Sequence, residues 1–452
     1  MKGLEVSEVR FSELNNEHRI DAEYFSKENL AGIKRLSDFG TFQIGDIAEV
    51  TDGIHTSIDY DENSRVNLIS ATSPKENVFD LSRGAFISEK AHAENPRTAL
   101  RKNDVIISTV GTIGNCAVVD DSILPANSDR HVGIIRIKDD YSPYILSTFL
   151  LSKYGRMQTL RESTGNVQLN LFIYKLRELQ IPDFSTDFQS QIESLVKSAH
   201  AKLSESRSLY TQAEDTLLSE LGLKNWQPKN GNINVKTLKE SFLSSGRLDA
   251  EYYQSKYDEI ETKIKKYHGG FQSLINYVSD YSTGQPFDSN LFTDCGCNVI
   301  RINNIKNGEL DLSNAVCVPT ESIDVDMKDL VKKNDILISM SGTIGNCCVI
   351  RENIFAAINQ RILKIVPKNY DSNVLCLVID SIIGKTQFDR IGTGGVQTNI
   401  SSKDMFQILI PKLPISIQTE ISDNIQQSFA LKAESKRLLE EAKLMVEQEI
   451  EK

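Results

Sequence analysis

Residues 103–119 read NDVIISTVGTIGNCAVV, and residues 334–350 read NDILISMSGTIGNCCVI. In each copy an alternating apolar run meets a turn with two glycines, and a second apolar run follows. This pattern predicts a β-hairpin in each half of the chain. Because glycine lets a backbone bend or approach another group closely, the turn allows two interpretations. We favour a structural turn for the hairpin taken alone; the alternative is that Thr112 and Thr343 touch a phosphate backbone.

The duplication extends far beyond the hairpin. Matches in the same order, at separations of 228 to 231 residues, pair 19–25 with 247–253, Thr112 with Thr343, 163–172 with 392–401, and 181–182 with 410–411. A repeat of this length is not a solenoid, whose period is roughly 20–50 residues. The sequence therefore predicts a tandem duplicated module of the α+β class, in which each copy is strand-rich and precedes a long helix.

Each predicted long helix follows a proline-containing stretch and has a regular apolar stripe. Between residues 186 and 221 there is no proline or glycine, and apolar or small residues recur at gaps of three and four; the same spacing follows Pro414. This spacing is typical of a coiled-coil seam, and Gly222 suits the end of the first helix. We expect the helices to pair antiparallel rather than to pack independently. The predicted seam residues are Ile192, Val196, Leu203, Tyr210, Leu217, Ile421, Ile425, Leu439 and Val446.

These patterns divide the chain into five segments. Residues 1–36 are expected to be a helical N-terminal segment, 42–183 to be strand-rich, and 144–151 to form a helix within them. Trp226 is expected to be a packing anchor in a polar linker. The predicted segments are a first module at 1–183, a first long helix at 184–222, a linker at 223–246, a second module at 247–412 and a second long helix at 413–452.

Composition is that of an ordinary soluble globular protein, with 40% hydrophobic and 25% charged residues. The N-terminus lacks the apolar core of a signal peptide, and no stretch approaches the length of a membrane helix. We therefore expect no membrane partner. Cys116, Cys347 and Cys348 lie in apolar runs and are expected to be buried thiols, which favours a reducing cytoplasmic location. The net charge of −11 is unusual for a protein that binds nucleic acid unaided.

Motifs for nucleotide or metal catalysis are not found. The sequence has no GxxxxGK[ST] loop, no GxGxxG following a strand and no HExxH. Cys295 and Cys297 have no second Cys/His pair nearby, so no zinc or other metal site is predicted. The copies share Gly, Thr, Gln, Asn and Arg residues, with Arg130 and Arg361 interpreted as paired cations. Such residues suit binding rather than catalysis, and we predict a non-catalytic chain.

The duplicated GTIG turn, the Ile-Pro before each long helix, and the placement of the two helices resemble the specificity subunits of type I restriction–modification systems. The resemblance covers essentially the whole chain. It implies that each module is a target-recognition domain reading one half of a split, asymmetric DNA target. It also implies that the paired helices dock two adenine-methyltransferase subunits, which carry S-adenosylmethionine, and that restriction subunits using ATP and Mg join them. This chain itself would hold no cofactor.

Candidate DNA contacts follow from this resemblance and from where the copies differ. Base contacts require side chains that differ between the modules, and the copies diverge most at 53–97 and 284–328. For each candidate the alternative is a solvated loop residue. The divergent candidates are His55, Arg65, Lys75, Arg83, Gln285, Arg301, Asn303, Asn304 and Lys306. The shared candidates are Thr112, Arg130, Gln168, Asn170, Thr343, Arg361, Gln397 and Asn399.

Two other functions remain open on sequence grounds. The first is a self-contained restriction or methylation enzyme that carries its own recognition modules, against which the missing catalytic motifs argue. The second is a scaffold that binds only protein, which the acidic charge favours. Methyl transfer by the purified chain would indicate the first, and lack of DNA binding by the reconstituted complex would indicate the second.

Overall fold

The computed structural model describes residues 6–14, 19–82, 84–138, 140–165, 167–228, 233–306, 308–324, 327–392 and 399–452. The chain divides into two compact units, Met1–Ser204 with Leu431–Lys452, and Glu205–Ala430. Both divisions fall inside long helices, so each unit contains one module and parts of two helices. The domain boundaries proposed from the sequence follow the repeat instead and stay predictions.

The first module is built from short strands with helices at its start and end. Its elements are α1 (Lys27–Phe39), β1 (Thr41–Gln43), α2 (Ile44–Ile47), β2 (Ala48–Asp52), β3 (Val66–Ile69), β4 (Ala85–Ile87), α3 (Glu89–Glu94), β5 (Val105–Ser108), β6 (Cys116–Val118), β7 (Ala126–Ser128), β8 (Val132–Ile137), α4 (Pro143–Leu151), α5 (Lys153–Glu162), α6 (Ile173–Glu178) and β9 (Gln180–Pro182). The first long helix, α7 (Thr186–Glu220), follows.

The second module repeats the order of the main strands. Its elements are α8 (Phe242–Ser245), α9 (Ser255–Lys265), β10 (Phe271–Ser273), β11 (Val278–Ser282), β12 (Cys297–Ile300), β13 (Ile305–Lys306), β14 (Glu309–Leu310), β15 (Val316–Val318), β16 (Ile336–Ser339), β17 (Cys347–Val349), β18 (Ala356–Ile358), β19 (Ile362–Pro367), α10 (Ser372–Asp380), α11 (Ile382–Gly392), α12 (Ser402–Met405) and β20 (Leu409–Pro411). Among the described residues, the second module adds α8, β13 and β14 and has no α-helix in the places of α2 and α3. The second long helix is α13 (Ile415–Glu451).

The main sheets of the two modules have the same topology, and the second module has an additional two-stranded sheet, β13-β14. Each has a four-stranded sheet, in the order β2-β8-β5-β6 and β11-β19-β16-β17, and a three-stranded sheet, β4-β3-β7 and β15-β12-β18. In each three-stranded sheet one neighbouring pair is parallel, β3 with β7 and β12 with β18. Each module also closes with a short antiparallel pair, β1 with β9 and β10 with β20. The shared topology confirms the tandem duplication and the α+β class.

The predicted hairpins form one half of each four-stranded sheet, with β5 and β16 in the interior and β6 and β17 at the edge. Strands β5 and β6 pair antiparallel, as do β16 and β17, and every residue of these four strands is buried. One sheet face packs against α4 or α10, and the other packs into a separate cluster with the three-stranded sheet. Burial on both faces explains why these strands are continuously apolar. The predicted thiols Cys116, Cys347 and Cys348 are free and buried within them.

The long helices pair antiparallel. In the first unit, Ile192 and Val196 of α7 share a buried cluster with Ala442 and Val446 of α13. In the second unit, a buried cluster joins the other halves of the helices through Ala213, Leu217, Ile421 and Ile425. Also within the second unit, the hydroxyls of Ser206 and Ser428 lie 3.1 Å apart in a buried contact between the two helices. The N-terminal part of α7 therefore packs against the C-terminal part of α13, and the C-terminal part of α7 packs against the N-terminal part of α13.

The predicted seam is buried unevenly. Leu203, Tyr210 and Leu439 are only partly buried, whereas Leu438 is buried. The Tyr210 ring contacts Phe429 edge-on at 6.2 Å between centroids. A seam with serines and a partly exposed tyrosine is less regular than a strict heptad pattern. Whether these residues also meet a partner protein stays a prediction.

Two local predictions need correction. Of the helix expected over residues 1–36, the part found among the described residues begins at Lys27 and extends to Phe39. Ser26 accepts a hydrogen bond from Asn29 N and caps its start. Tyr24 and Phe25 are buried in the turn before it. Within the segment predicted to be a linker, Phe242–Ser245 forms a short helix. Trp226 packs against the core of the second unit, as expected for an anchor.

Candidate nucleic-acid interface

Strand register brings the loops of each module to one end of its four-stranded sheet. In the first module Asp52 pairs with Gly133 and Ser108 with Val132, so β2 and β5 end where β8 begins. Strands β3 and β7 run parallel and end at the same place. We call the loops that meet there the loop edge. It comprises residues 53–57, 70–75, 109–115, 129–131 and 167–171 in the first module, and 284–288, 301–306, 340–346, 359–361 and 399–400 in the second.

The same backbone hydrogen bonds tie the loop edge together in both modules. In the first module Leu171 N donates to Thr109 O (2.9 Å), Thr109 N to His131 O (3.0 Å) and Asp129 N to Ile69 O (3.0 Å). In the second module Ile400 N donates to Met340 O (3.0 Å), Met340 N to Arg361 O (2.8 Å) and Asn359 N to Ile300 O (2.8 Å). The two loop edges therefore share one backbone framework, and their differences lie in the side chains.

This framework corrects the predicted pairing of Arg130 with Arg361. The carbonyls of His131 and Arg361 accept the equivalent hydrogen bonds, so Arg361 takes the place of His131. The reason is a shorter connection after the hairpin: Asn67 N donates to Pro125 O, whereas Asn298 N donates to Phe355 O. Equivalent residues of the two modules are thus 231 positions apart in the hairpin but 230 positions apart in the strand that follows it. Arg130 and Arg361 are both exposed at the loop edge, but at neighbouring positions.

The GTIG turn supplies exposed threonines on a tightly held backbone. All four of its glycines, Gly111, Gly114, Gly342 and Gly345, have φ between 70° and 84°. Thr112 is exposed and its hydroxyl donates to Ala71 O at 2.8 Å. The exposed Thr343 instead accepts, through its carbonyl, a hydrogen bond from the Ser339 hydroxyl at 2.5 Å. The turn is therefore structural through its glycines and leaves a threonine accessible in each module.

The glutamine and asparagine of the shared VQxN stretch lie beside this turn. Asn170 exchanges two backbone hydrogen bonds with Thr164, at 2.8 and 3.0 Å, and Gln168 is exposed. In the second module Asn399 is exposed and accepts a hydrogen bond from Arg361 Nη1. Gln397 lies outside the described residues. The loop edge thus brings together Thr112, Arg130 and Asn170, and separately Thr343, Arg361 and Asn399.

Lys75 and Lys306 prove to be equivalents rather than divergent residues. Each is exposed and faces an aspartate: Lys75 Nζ lies 2.5 Å from Asp80 Oδ2, and Lys306 Nζ lies 4.0 Å from Asp311 Oδ2. Both aspartates also accept from the amide and hydroxyl of a serine two residues later. The repeated DLS at 80–82 and 311–313 was the sequence signal for this match. Lysines kept in both copies suit contact with a feature common to all DNA.

The Asp80 carboxylate anchors its loop electrostatically. Partial burial alone would raise its pKa, but hydrogen bonds from Lys75 and Ser82 outweigh burial and lower the pKa from 3.8 to about 2. A lowered pKa in the folded state means that the ionised group stabilises the fold. Asp80 is therefore a structural partner of Lys75 that holds the base of the loop.

Replacing Asp80 with Asn is expected to lower the melting temperature at neutral pH, with a smaller effect in acid. Because the folded pKa lies below the unfolded one, the stabilisation is fully present above the unfolded pKa, about 4, and is lost as the pH falls towards about 2. Melting curves at about pH 7, 5 and 3 measure this trend. Asp121→Asn, which removes the exposed ion pair with Lys102, is the matched control. A penalty for Asp80→Asn that does not shrink between pH 5 and 3 would contradict the assignment.

The other divergent candidates have mixed environments. His55 is exposed and its Nε2 lies 2.6 Å from Asp52 Oδ2. Burial raises the pKa of the Asp52 carboxyl, but hydrogen bonds from His55 and Arg97 lower it below its ordinary value. Gln285 is exposed at the loop edge, with its amide 3.5 Å from Met327 Sδ. Asn304 is buried and its side chain bonds two backbone groups, which makes it structural.

Two candidates are not at the loop edge as described. Arg65 immediately precedes β3, at the end of the strand opposite to the loop edge. It is exposed, and its contact with DNA stays a prediction. Arg83 lies outside the described residues. Arg301, Asn303 and Lys306, in contrast, lie close together in the segment that follows β12, with Lys306 at the end of β13.

Sequence reasoning missed Thr72 and Arg97. Thr72 is exposed on the loop after β3. Arg97 donates to Asp52 Oδ1 and Asp52 O, both at 3.2 Å, and so joins the site through β2. Thr72 could have been found by aligning it with Asn303 at the constant separation of 231 residues. No sequence signal pointed to Arg97, because its partner is 45 residues away.

Within the described ranges, no group of three or more His, Cys, Asp or Glu side chains could hold a metal ion. None of the helices in those ranges is long and apolar enough to cross a membrane. The chemistry available at the loop edge is hydrogen bonding and positive charge from Thr, Asn, Gln, Arg, Lys and His side chains. These groups bind phosphates and the edges of bases.

Comparison with known proteins gives the class of this chain. The family model described as "Type I restriction modification DNA specificity domain" matches residues 36–208 and 277–443, one match in each half. These matches cover well over half of the chain. The protein therefore belongs to the type I restriction–modification DNA specificity family, and it carries two of the family's DNA-recognition domains in tandem.

Curated relatives agree with this class. The type I restriction enzyme EcoBI specificity subunit of Escherichia coli is 26% identical over 231 residues, which are 48% of this chain and 48% of that protein. The EcoAI specificity subunit of Escherichia coli is 26% identical over 180 residues, 38% of this chain and 29% of that protein. The matched region thus spans about half of the first relative's length, and less than a third of the second's.

Two S subunits of known structure align with this chain at low similarity. The type I restriction–modification S subunit from M. genitalium aligns with a TM-score of 0.43 at 12% identity, covering 91% of this chain and 94% of that one. The HsdS subunit from Thermoanaerobacter tengcongensis aligns with a TM-score of 0.29 at 15% identity, covering 91% and 96%. Similarity at these TM-scores is too low to transfer structural detail to this chain.

Proposed function

We propose that this chain is the non-catalytic DNA sequence-recognition subunit of a type I restriction–modification complex in the cytoplasm. Its two modules read the two halves of a split, asymmetric target. The chain positions two adenine-methyltransferase subunits and the restriction subunits on that target. S-adenosylmethionine is held by the methyltransferase partners, and ATP and Mg by the restriction partners.

One observation carries this proposal: the two modules place different side chains on the same backbone framework. The hydrogen bonds of the loop edge are equivalent in both modules, whereas the residues presented there differ, as with Ser70 and Thr72 against Arg301 and Asn303. DNA sequence is read by side chains at the base edges, while phosphate contacts set position. The two loop edges have the same backbone arrangement but present different side chains. This combination suits the recognition of two half-sites that differ in sequence.

The charge of the chain suggests that it acts within a complex. A net charge of −11 repels DNA, and the lysines at the loop edge, Lys75 and Lys306, face Asp80 and Asp311. Phosphate contacts normally dominate affinity for DNA. We therefore infer that the methyltransferase subunits provide much of the phosphate contact, and that this chain provides the sequence preference.

Purified alone, the chain is expected to bind DNA weakly, while its complex with the methyltransferase subunits binds tightly. Sheared chromosomal DNA from a host lacking the system is the probe, and gel shifts at about 50 and 200 mM salt measure affinity. The complex should lose affinity steeply with salt, because phosphate contacts release counterions. Methylation of the same DNA with labelled S-adenosylmethionine should require the complex.

The outcomes separate the alternative functions. Methyl transfer by the chain alone would indicate a self-contained enzyme. Lack of sequence-specific binding and methylation by the complete complex would indicate a protein-only scaffold. Nanomolar, sequence-specific binding by the isolated chain would contradict the division of roles inferred from its charge.

A further inference from the structure

The loop that follows β3 has an equivalent in the loop that follows β12, residue by residue. Ser70 N donates to the Ser73 hydroxyl at 3.1 Å, and Arg301 N donates to Asn304 Oδ1 at 2.9 Å. Further along, the amides of Asp80 and Asp311 donate to the carbonyls of Ser73 and Asn304, both at 2.8 Å. The same bonds at the same spacing make Ser70 the counterpart of Arg301, and Thr72 the counterpart of Asn303.

This loop lies against the GTIG turn in both modules. In the first module Ala71 O accepts hydrogen bonds from the hydroxyls of Ser108 (2.5 Å) and Thr112 (2.8 Å). In the second module a Cβ built on Gly342 would lie 3.3 Å from Ile302 Cδ1. The loop is therefore fixed at the loop edge beside the exposed threonine of each turn.

The side chains at the equivalent positions differ in length and in unfilled hydrogen-bonding capacity. The hydroxyls of Ser70 and Thr72 lie 3.1 Å apart and bond each other. Arg301 Nη2 makes a long bond of 3.4 Å to Asn314 O, and Arg301 Nε is buried without a hydrogen-bond partner among the described residues. A guanidinium has five N–H donors. Several N–H donors of the Arg301 guanidinium are thus available for a ligand, although the backbone of the loop is hydrogen-bonded. The neighbouring Asn303 is exposed.

We propose that this loop determines the base preference of each module, and that Arg301 reads a guanine in the half-site of the second module. Ser70 and Thr72 occupy the matching positions and set a different preference in the first module. The inference rests on the proposed DNA-reading function and names the residues that perform it. An arginine pairs with guanine through O6 and N7, and asparagine pairs with adenine through N6 and N7.

The adjacent lysines indicate that the contact of Arg301 is with a base rather than a phosphate. Lys75 and Lys306 occupy equivalent positions on the same loops and are retained in both modules. A phosphate is present in every DNA sequence, so a contact to it can be the same in both modules. A base contact must differ when the half-sites differ, and positions 301 and 303 differ from positions 70 and 72.

The test is binding selection with the chain complexed to its methyltransferase subunits, using duplex oligonucleotides with fully randomised positions. Arg301→Ala should reduce the preference for guanine at one position of one half-site by about 5- to 150-fold. Arg301→Gln should shift that position towards adenine, since glutamine pairs with adenine N6 and N7. The other half-site should be unchanged in both variants.

Lys306→Ala is the matched control on the same loop. It should weaken binding to all sequences without changing the selected motif, as a phosphate contact does. Co-purification with the methyltransferase subunits and an unchanged melting curve show that each variant folds. If Arg301→Ala destabilises the chain, Arg301→Gln retains the side-chain stem and gives the same readout.

A reciprocal transplant tests the first module. Ser70→Arg combined with Thr72→Asn should introduce a guanine preference at one position of the other half-site. An unchanged motif in Arg301→Ala and Arg301→Gln would overturn the inference, and so would a uniform loss of affinity across sequences. Failure of the unmodified complex to select any split motif would instead overturn the proposed function.

Discussion

A chain in which residues 281–365 replace residues 50–135 is expected to recognise a target with two identical half-sites, both those of the second module. The replaced segment contains the loops after β2, β3 and β5 and the loop before β8, which form most of the loop edge. The half-site normally read by the first module should disappear completely. This exchange moves a whole recognition surface, and so it has the largest effect that we expect on specificity.

The structure explains why such an exchange should fold. On the sheet face that meets α4 or α10, Ile107, Cys116 and Val118 correspond to Ile338, Cys347 and Val349. Two positions differ: Tyr281 replaces the buried Val50, and Leu363 replaces Gly133, where a Cβ would lie 2.6 Å from Leu176 Cδ2. Leu176 must therefore repack in the exchanged chain. The opposite face packs into clusters whose members all lie inside the exchanged segments. Cores tolerate substitution that preserves volume and pattern. The cut points pair in equivalent register, Val50 with Ile135 and Tyr281 with Ile365.

The readout is a map of methylated adenines in cells that express the exchanged chain together with the methyltransferase subunits. The map is obtained by sequencing the DNA of these cells. The reciprocal exchange is the control, and it should give a target with two copies of the first half-site. A fully active exchange with an unchanged target would show that the loop edges do not read the sequence. Alteration of both half-sites would show that the modules are not independent readers.

Gly114→Ala is expected to destabilise the first unit by about 2–5 kcal/mol, and Gly111→Ala by only about 1–2 kcal/mol. Both residues have positive φ, 80° and 75°, a conformation that costs an L-residue about 1–2 kcal/mol. A Cβ on Gly111 would meet nothing within 4 Å, whereas one on Gly114 would lie 2.7 Å from Thr159 Oγ1. Overpacking of this kind adds about 1–3 kcal/mol.

The second module provides an independent pair for this comparison. A Cβ on Gly345 would lie 2.5 Å from Cδ2 of the buried Phe388, while one on Gly342 would meet only a side-chain tip at 3.3 Å. Urea unfolding monitored by circular dichroism should rank Gly345→Ala as more destabilising than Gly342→Ala. Equal penalties within each pair would contradict the assignment of the second glycine to close packing against α5 or α11.

Features that repeat or have a strong period were predictable from the sequence. The hairpins at 103–119 and 334–350 combine continuous apolar runs with glycines, and the stripes in α7 and α13 persist over 35 and 37 residues. The apolar periodicity and the turn glycines are local signals, because the secondary structure of each residue is indicated by residues a few positions away. Asn103 and Asn334 follow the same logic: with φ of 72° and 75° they lead into the hairpin in a conformation that asparagine tolerates.

The candidate site was less predictable because its residues meet through long-range pairing. The parallel alignment of β3 with β7 joins residues almost 60 positions apart, and nothing local announces it. Sequence reasoning placed Lys75 among the divergent contacts, since its match to Lys306 depends on a loop of low similarity. Sequence reasoning also paired Arg130 with Arg361. It assumed a constant difference of 231 between equivalent residue numbers, which hides a difference of one residue in the length of a connection.

That shorter connection between β17 and β18 also bears on how such proteins acquire new targets. The connection between Ile350 and Phe355 has one residue fewer than that between Val119 and Pro125, and both sheets pair as in the first module. The difference nevertheless brings Arg361 to the position that His131 occupies. A change in length can therefore exchange the side chain presented to a ligand without a substitution at that point. Because a solvent-facing connection absorbs the change, new recognition can evolve with little loss of stability, and duplicated modules can diverge by slippage as well as by point mutation.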